Sequence, residues 1–174
     1  MVEQSLKYDI VDTSLGKILI VGSEAGLCRI SIHKSHKSAL ESITQQYPQS
    51  MESPDGFGDL PQRLKQYARG ERVIFNDKLD FSKATPFKQA VWEATRAIPY
   101  GETHSYEWIA QRIGKPEAAR AVGQALKSNP LPIVVPCHRV IGKDGSLTGF
   151  SCGIDIKKRL LDIEASNSST IQED

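Results

Sequence analysis

The sequence predicts an α+β protein: a small antiparallel sheet with helices in the N-terminal part, and a helical C-terminal part carrying a helix-turn-helix. Three observations predict it. Short β-branched runs separated by glycine turns fill the start of the chain. Helical apolar spacing with recognisable caps takes over from Thr85. The 174 residues, 39% hydrophobic and 25% charged, suffice for one large or two small domains with real cores. The expected boundaries are 1–82 for the N-terminal domain, 83–165 for the C-terminal domain and 166–174 for a polar, disordered tail.

"LKYDIVDT", "GKILIVGSE" and "GLCRISIH", joined by the turn-prone "SLG" and by "AG", read as a three-stranded meander. "SHKSALESITQQY" carries Leu40, Ile43 and Tyr47 at helical spacing. "PQSMESPDGFGDLP" reads as a loop, "LPQRLKQYARGE" as a short helix ending at Gly70, and "VIFNDKLDF" as an edge strand. Thr85 can cap a helix with Pro86 at its first position, and Phe87, Ala90, Val91, Ala94 and Ile98 keep one apolar face until Pro99 and Gly101 stop it. Ser105 can cap the next, through Tyr106, Ile109, Ala110 and Ile113, until Gly114; Pro116 opens another at once. "DIKKRLLDIE" is the last predicted helix.

Composition excludes several classes. The longest apolar stretch, Leu131 to Val135, cannot span a bilayer, and "MVEQSLKYDI" lacks a secretory h-region, so the expectation is the cytoplasm, or the nucleus of a eukaryote, with no membrane partner. A formal net charge of +1 leaves any attraction to nucleic acid to local patches. Cys28, Cys137 and Cys152 are too few for a disulfide scaffold and include no CxxC.

The two short helices around Gly114 form a candidate helix-turn-helix. On the second, Ala118, Val122, Ala125 and Leu126 make a buried stripe, while Arg120, Gly123, Gln124 and Lys127 occupy the opposite face. Small residues there let a backbone approach a groove and an arginine reach in; an alanine-rich helix of an ordinary bundle has the same pattern. "NPLPIVVPCHRVIG" (129–142) raises a chemical question. Pro130, Pro132 and Pro136 make Leu131–Val135 read as a stiff, buried, extended segment that holds Cys137 in place beside His138. A neighbouring imidazole lowers a thiol's pKa, and the thiolate is the nucleophile; most buried cysteines are nonetheless inert core residues. Glu164 lies on the apolar stripe of the last helix, where it either partners an imidazole or turns to solvent.

Taken together, "IPYGETHSYEWIA", "AARAVGQALKSNP", "PCHRVIG" and "LTGFSCGIDIKKRLLDIE" resemble the O6-alkylguanine-DNA alkyltransferases over residues 85 to 164, and "DTSLGKILIVGSEAGLCRI" more loosely resembles their N-terminal domain. The resemblance implies an RNase H-like N-terminal domain and a DNA repair protein: a methylated-DNA–protein-cysteine S-methyltransferase. It would move the alkyl group of O6-alkylguanine in double-stranded DNA to its own cysteine, irreversibly and once per molecule, without a cofactor. It assigns Cys137 as nucleophile, His138 as proton acceptor through a water, Glu164 as the group orienting the imidazole, and Asn129 as a buttress of the turn. Tyr106 would push a phosphate and hydrogen-bond the flipped guanine. Arg120, with Ala119, Gly123, Gln124 and Lys127, would sit in the minor groove. The carbonyls of Cys137 and Val140, with Arg139, Phe150, Ser151 and Cys152, would form the substrate pocket. A monomer is expected.

The chain departs from many relatives at Phe150, where tyrosine is common, and at Cys152. Cys28, His33 and His36 do not reproduce the zinc-ligand set of some relatives, so no structural metal is expected. An alkyltransferase-like sensor that binds lesions without transfer is the main rival, disfavoured because Cys137 is present. A Cys-His hydrolase lacks a locatable oxyanion hole, and a helix-turn-helix regulator would leave the thiol incidental.

Overall fold

The three N-terminal strands form where the turn residues allow tight reversals. In the computed structural model, which describes residues 5–147 and 152–171 (side chains through 166), the chain divides into two compact units, Met1–Phe81 and Ser82–Asp174. In the first unit β1 (Lys7–Thr13), β2 (Gly16–Ser23) and β3 (Gly26–His33) form an antiparallel meander. Gly26, at φ +143°, must be glycine: a Cβ there would lie 2.5 Å from the Lys78 carbonyl oxygen. α1 (His36–Gln46), capped by a reciprocal Ser35–Ser38 box, lays Ile43 on the face of Leu19 and Val21, with Tyr8, Ile10 and Tyr47 around them. α2 (Leu60–Ala68) buries Leu60, Leu64 and Tyr67.

Two features of this unit differ from the sequence reading. The predicted loop contains a two-residue strand, β4 (Met51–Glu52), parallel to β1, which completes the order β3-β2-β1-β4. The predicted edge strand over "VIFNDKLDF" reduces to one bridge, Leu27 to Leu79. Arg63 explains this: its guanidinium donates to the Ile74 carbonyl at 3.3 Å and to Asp77 at 2.6 and 2.9 Å, holding that segment by a side chain instead of a ladder.

In the second unit α3 (Pro86–Arg96) starts as expected, with Thr85 Oγ1 accepting from Lys88 N and Pro86 at the first position. Its buried face runs through Val91, Trp92 and Thr95, while Ala90 is exposed; Trp92 Nε1 donates to the Ala125 carbonyl at 2.9 Å and pins α3 to α5. α4 (Tyr106–Arg112) is capped by Ser105, and Gly114 at φ +76° ends it. Pro116 does not open the next helix: Ala118 N bonds to Lys115 O in a turn, and α5 (Ala119–Lys127) begins after it. Proline's fixed φ suits the second position of a turn as well as a helix start.

β5 (His104–Ser105) and β6 (Val140–Ile141) form a parallel pair that the sequence does not reveal, in the register His104↔Val140. α6 (Ile154–Ile171) continues beyond 166, where a disordered tail is expected; no glycine or proline interrupts it after Gly153. Among the described residues, no helix is long and apolar enough to cross a membrane.

Candidate active site and nucleic-acid interface

The segment after α5 turns rather than extends. Val135 N bonds to Leu131 O at 2.8 Å, and Ile133 has φ +76°, the one positive value at a non-glycine among the described residues. With three prolines removing backbone donors, Asn129 supplies the missing bonds. Its Oδ1 accepts from Leu131 N at 3.0 Å, and its Nδ2 donates to Val135 O at 3.0 Å and to Cys137 Sγ at 3.1 Å. The expected extended segment is thus a turn, and a side-chain clamp gives it its shape. Cys137–Arg139 then form one 3-10 turn, with Val140 N bonded back to Cys137 O.

Cys137 is 2% exposed. Burial pushes its thiol up to about 12, against the opposing effects of the Asn129 hydrogen bond and the Lys157 charge, so the resting residue is a neutral thiol. His138 is fully buried, and burial pulls its pKa down although Glu164 opposes the shift. Its Nε2 is given to Glu164 Oε2, so proton uptake by the ring falls to Nδ1.

Glu164 resolves the ambiguity left by the sequence. It is 2% exposed and faces the site: besides His138 it accepts from Arg139 Nε at 2.8 Å, Arg139 Nη2 at 3.2 Å and Gly101 N at 3.0 Å. Burial alone would raise its pKa; the hydrogen bonds and charges of His138 and Arg139 overcome that and hold it down at about 2.

Arg139 requires a correction. Expected at the substrate pocket, its side chain is buried and its guanidinium is taken up by Glu164 and by the Ile98 carbonyl at 2.7 Å, over the Tyr100 ring. A planar fork pairing with a carboxylate in this way cannot also line a cavity for a base.

Lys157 was missed by the sequence reading. It is 1% exposed, its Nζ donates to the Val140 carbonyl at 2.7 Å, and it lies 5.9 Å from the Tyr106 ring centroid. The signal was present: Lys157, Leu160 and Glu164 share the buried stripe of α6 at helical spacing. Burial lowers its pKa, while proximity to Cys137 opposes the shift. The carbonyls of Cys137 and Val140 thus each hold one internal bond and keep a second lone pair.

The expected interface residues fall on α4 and α5. Arg120, Gln124 and Lys127 are exposed; Ala119, Gly123 and Tyr106 are half-buried. A Cβ on Gly123 would meet the Tyr106 ring at 3.8 Å, an ordinary contact, so internal packing does not require glycine there. Tyr106 follows Ser105, whose hydroxyl caps α4 and whose strand pairs with β6 beside the cysteine turn. Phe150 and Ser151 lie outside the described residues; Cys152 is a half-buried thiol, not in a disulfide, whose charge would oppose ionisation of Cys137. In the first unit, Cys28 approaches Asp80 while His33 bonds Ser31, and among the described residues no three His, Cys, Asp or Glu side chains are grouped to hold a metal ion.

Comparison with known proteins decides the family. Residues 86–166 match the 6-O-methylguanine DNA methyltransferase DNA binding domain, and residues 6–81 match its ribonuclease-like domain. The chain belongs to the 6-O-methylguanine DNA methyltransferase family. A methylated-DNA–protein-cysteine methyltransferase of Methanosarcina barkeri is 42% identical over 160 residues, covering 92% of this chain and 98% of that protein. The constitutive one of Bacillus subtilis is 43% identical over 158 residues, 90% of this chain and 94% of that protein. The structure of Mycobacterium tuberculosis OGT in complex with DNA superposes with a TM-score of 0.80 at 38% identity, over 92% of this chain and 94% of that one. The α+β architecture is the family's, with a ribonuclease-like domain followed by a DNA-binding one.

Proposed function

We propose that this protein repairs O6-alkylguanine in double-stranded DNA by transferring the alkyl group to Cys137, once per molecule. The observation that carries the reading is the clamped thiol: Cys137, held by Asn129, on one turn with the buried His138 that Glu164 engages. Membership of a family whose relatives are named for this transfer supports it.

The resting thiol must lose its proton within the complex. His138, neutral at rest, takes that proton at Nδ1 through a water, and Glu164 stabilises the imidazolium. The sulfur lone pair then forms a bond to the alkyl carbon as the carbon–O6 bond breaks, and the electron pair leaves on guanine. Attack needs sulfur, carbon and oxygen nearly in line at about 3–3.5 Å, so the base must be flipped. Arg120 enters through the minor groove and fills the gap in the stack. Tyr106 pushes the flanking phosphate and hydrogen-bonds the departing base, and the second lone pairs of the Cys137 and Val140 carbonyls accept from its amino group. Lys157 places a cation beside the forming thiolate. The thioether product has no route back to a thiolate.

In this reading residues 83–165 carry DNA binding and transfer as a monomer, residues 1–82 serve as scaffold, and the site of action is the cytoplasm, or the nucleus of a eukaryote. The deciding experiment is intact-protein mass spectrometry after mixing with a duplex bearing one O6-methylguanine. The expected result is one added methyl on Cys137 with yield capped at one per molecule. Binding without transfer, or repeated turnover, would overturn the proposal.

A further inference from the structure

We infer that Arg139 is a positioning residue for this transfer: it acts on His138 through Glu164, fixing the carboxylate so that the imidazole stays correctly aimed and ready to accept the thiol's proton. The inference rests on the transfer reading and adds a residue that touches neither thiol nor DNA. Its geometry is specific. Nε and Nη2 reach the two oxygens of Glu164 at 2.8 and 3.2 Å, while Nη1 donates to the Ile98 carbonyl at 2.7 Å. Gly101 N, three residues after Ile98, donates to the same Glu164 oxygen as Arg139 Nε. Arg139 thus ties the loop between α3 and α4, the cysteine turn and α6 to one carboxylate.

Charge explains why an arginine is used. The charged groups acting on His138 are Arg139 from its own turn and Lys157 and Glu164 from α6. At rest the negative charge of Glu164 is paired with the positive charge of Arg139, and Lys157 stands as a second cation while the imidazole is neutral. Arg139 repels a proton on His138, whereas Glu164 attracts one. Without Arg139, Glu164 would lose the cation that reaches both of its oxygens, and the buried carboxylate would draw a proton onto the His138–Glu164 pair from solvent. An imidazole already protonated cannot take one from Cys137. Removing Arg139 therefore moves the acid limb of the transfer rate to higher pH. A purely structural pin would change stability and the amount of active protein, but not where the rate titrates.

The test measures single-turnover methyl transfer between pH 5.5 and 9 for wild type, Arg139→Met and Arg139→Lys, beside an NMR titration of the His138 ring in the unreacted full-length proteins. In Arg139→Met both midpoints should rise by about one pH unit, costing about fivefold in rate at the wild-type midpoint and approaching about tenfold below it. Arg139→Lys keeps the charge but not the fork and should fall between the two. Should Arg139→Met fail to fold, Arg139→Lys must still show an upward ring titration. A uniform drop in rate, with neither midpoint moved in the variants that fold, overturns the inference. If wild type itself transfers nothing to Cys137, the transfer reading fails, and the ring titration alone decides what Arg139 does.

Discussion

Asn129→Ala tests the clamp behind the nucleophile most directly. Asn129 is 3% exposed and Leu131 fully buried, so alanine leaves the Leu131 N–H without an acceptor where water cannot replace it. Such an orphan costs about 1–3 kcal/mol. The Val135 carbonyl keeps its bond from Cys137 N and adds less, for a total of roughly 2–4 kcal/mol. The second consequence is chemical. The Nδ2 bond to Sγ at 3.1 Å opposes the effect of burial, and a hydrogen bond to a charged acceptor contributes about 1.5–3 kcal/mol. Losing it should slow transfer about tenfold to a hundredfold. Asn129→Asp keeps an acceptor for Leu131 but removes both donors and sets a carboxylate by the sulfur, so its rate should fall at least as far. Urea unfolding and single-turnover transfer at fixed DNA excess measure the two effects. An alanine variant within about 0.5 kcal/mol of wild type, or an aspartate variant transferring at the wild-type rate, would refute the reasoning.

Three further outcomes are expected. Glu164's carboxyl is held at about 2 against an ordinary 4.5, so its contribution, about 3 kcal/mol, is present above pH 4.5 and is lost as pH falls toward 2. The unfolding free-energy gap between wild type and Glu164→Gln should therefore shrink over that window; a constant gap contradicts the assignment. Gly123→Ala should stabilise the protein by about 0.5–1 kcal/mol, since the added methyl makes only an ordinary contact with Tyr106, yet weaken duplex binding. Lower thermal stability with unchanged affinity would place the glycine's role inside the fold instead. Ser105→Ala removes the cap on Trp108 N and should cost about 1 kcal/mol in denaturant unfolding; no loss would mean that the β5–β6 pair alone sets the start of α4.

Local chemistry made part of this molecule legible in advance. Thr85 and Ser105 announce their helices because a hydroxyl one residue before an apolar period has one obvious use, and the structure places both as caps. Strands of two residues carry no periodicity, so β4, β5 and β6 are invisible until their partners are known. Three prolines in seven positions look like an extended rod; only the side-chain amide of Asn129 makes a turn of them. Cys137, His138 and Glu164 were readable as types that do chemistry. Arg139 was placed at the wrong surface and Lys157 was passed over despite its position on the α6 stripe, because a cation's partner depends on what folding brings alongside, and here both are buried.

The near-complete enclosure of Cys137 has one more consequence. A thiol pushed so far up by burial stays protonated at neutral pH, so peroxides and freely diffusing electrophiles find almost nothing to attack. Under the proposed single-use transfer, quiescence between encounters conserves the protein's shelf life, and damaged DNA is the trigger that arms it.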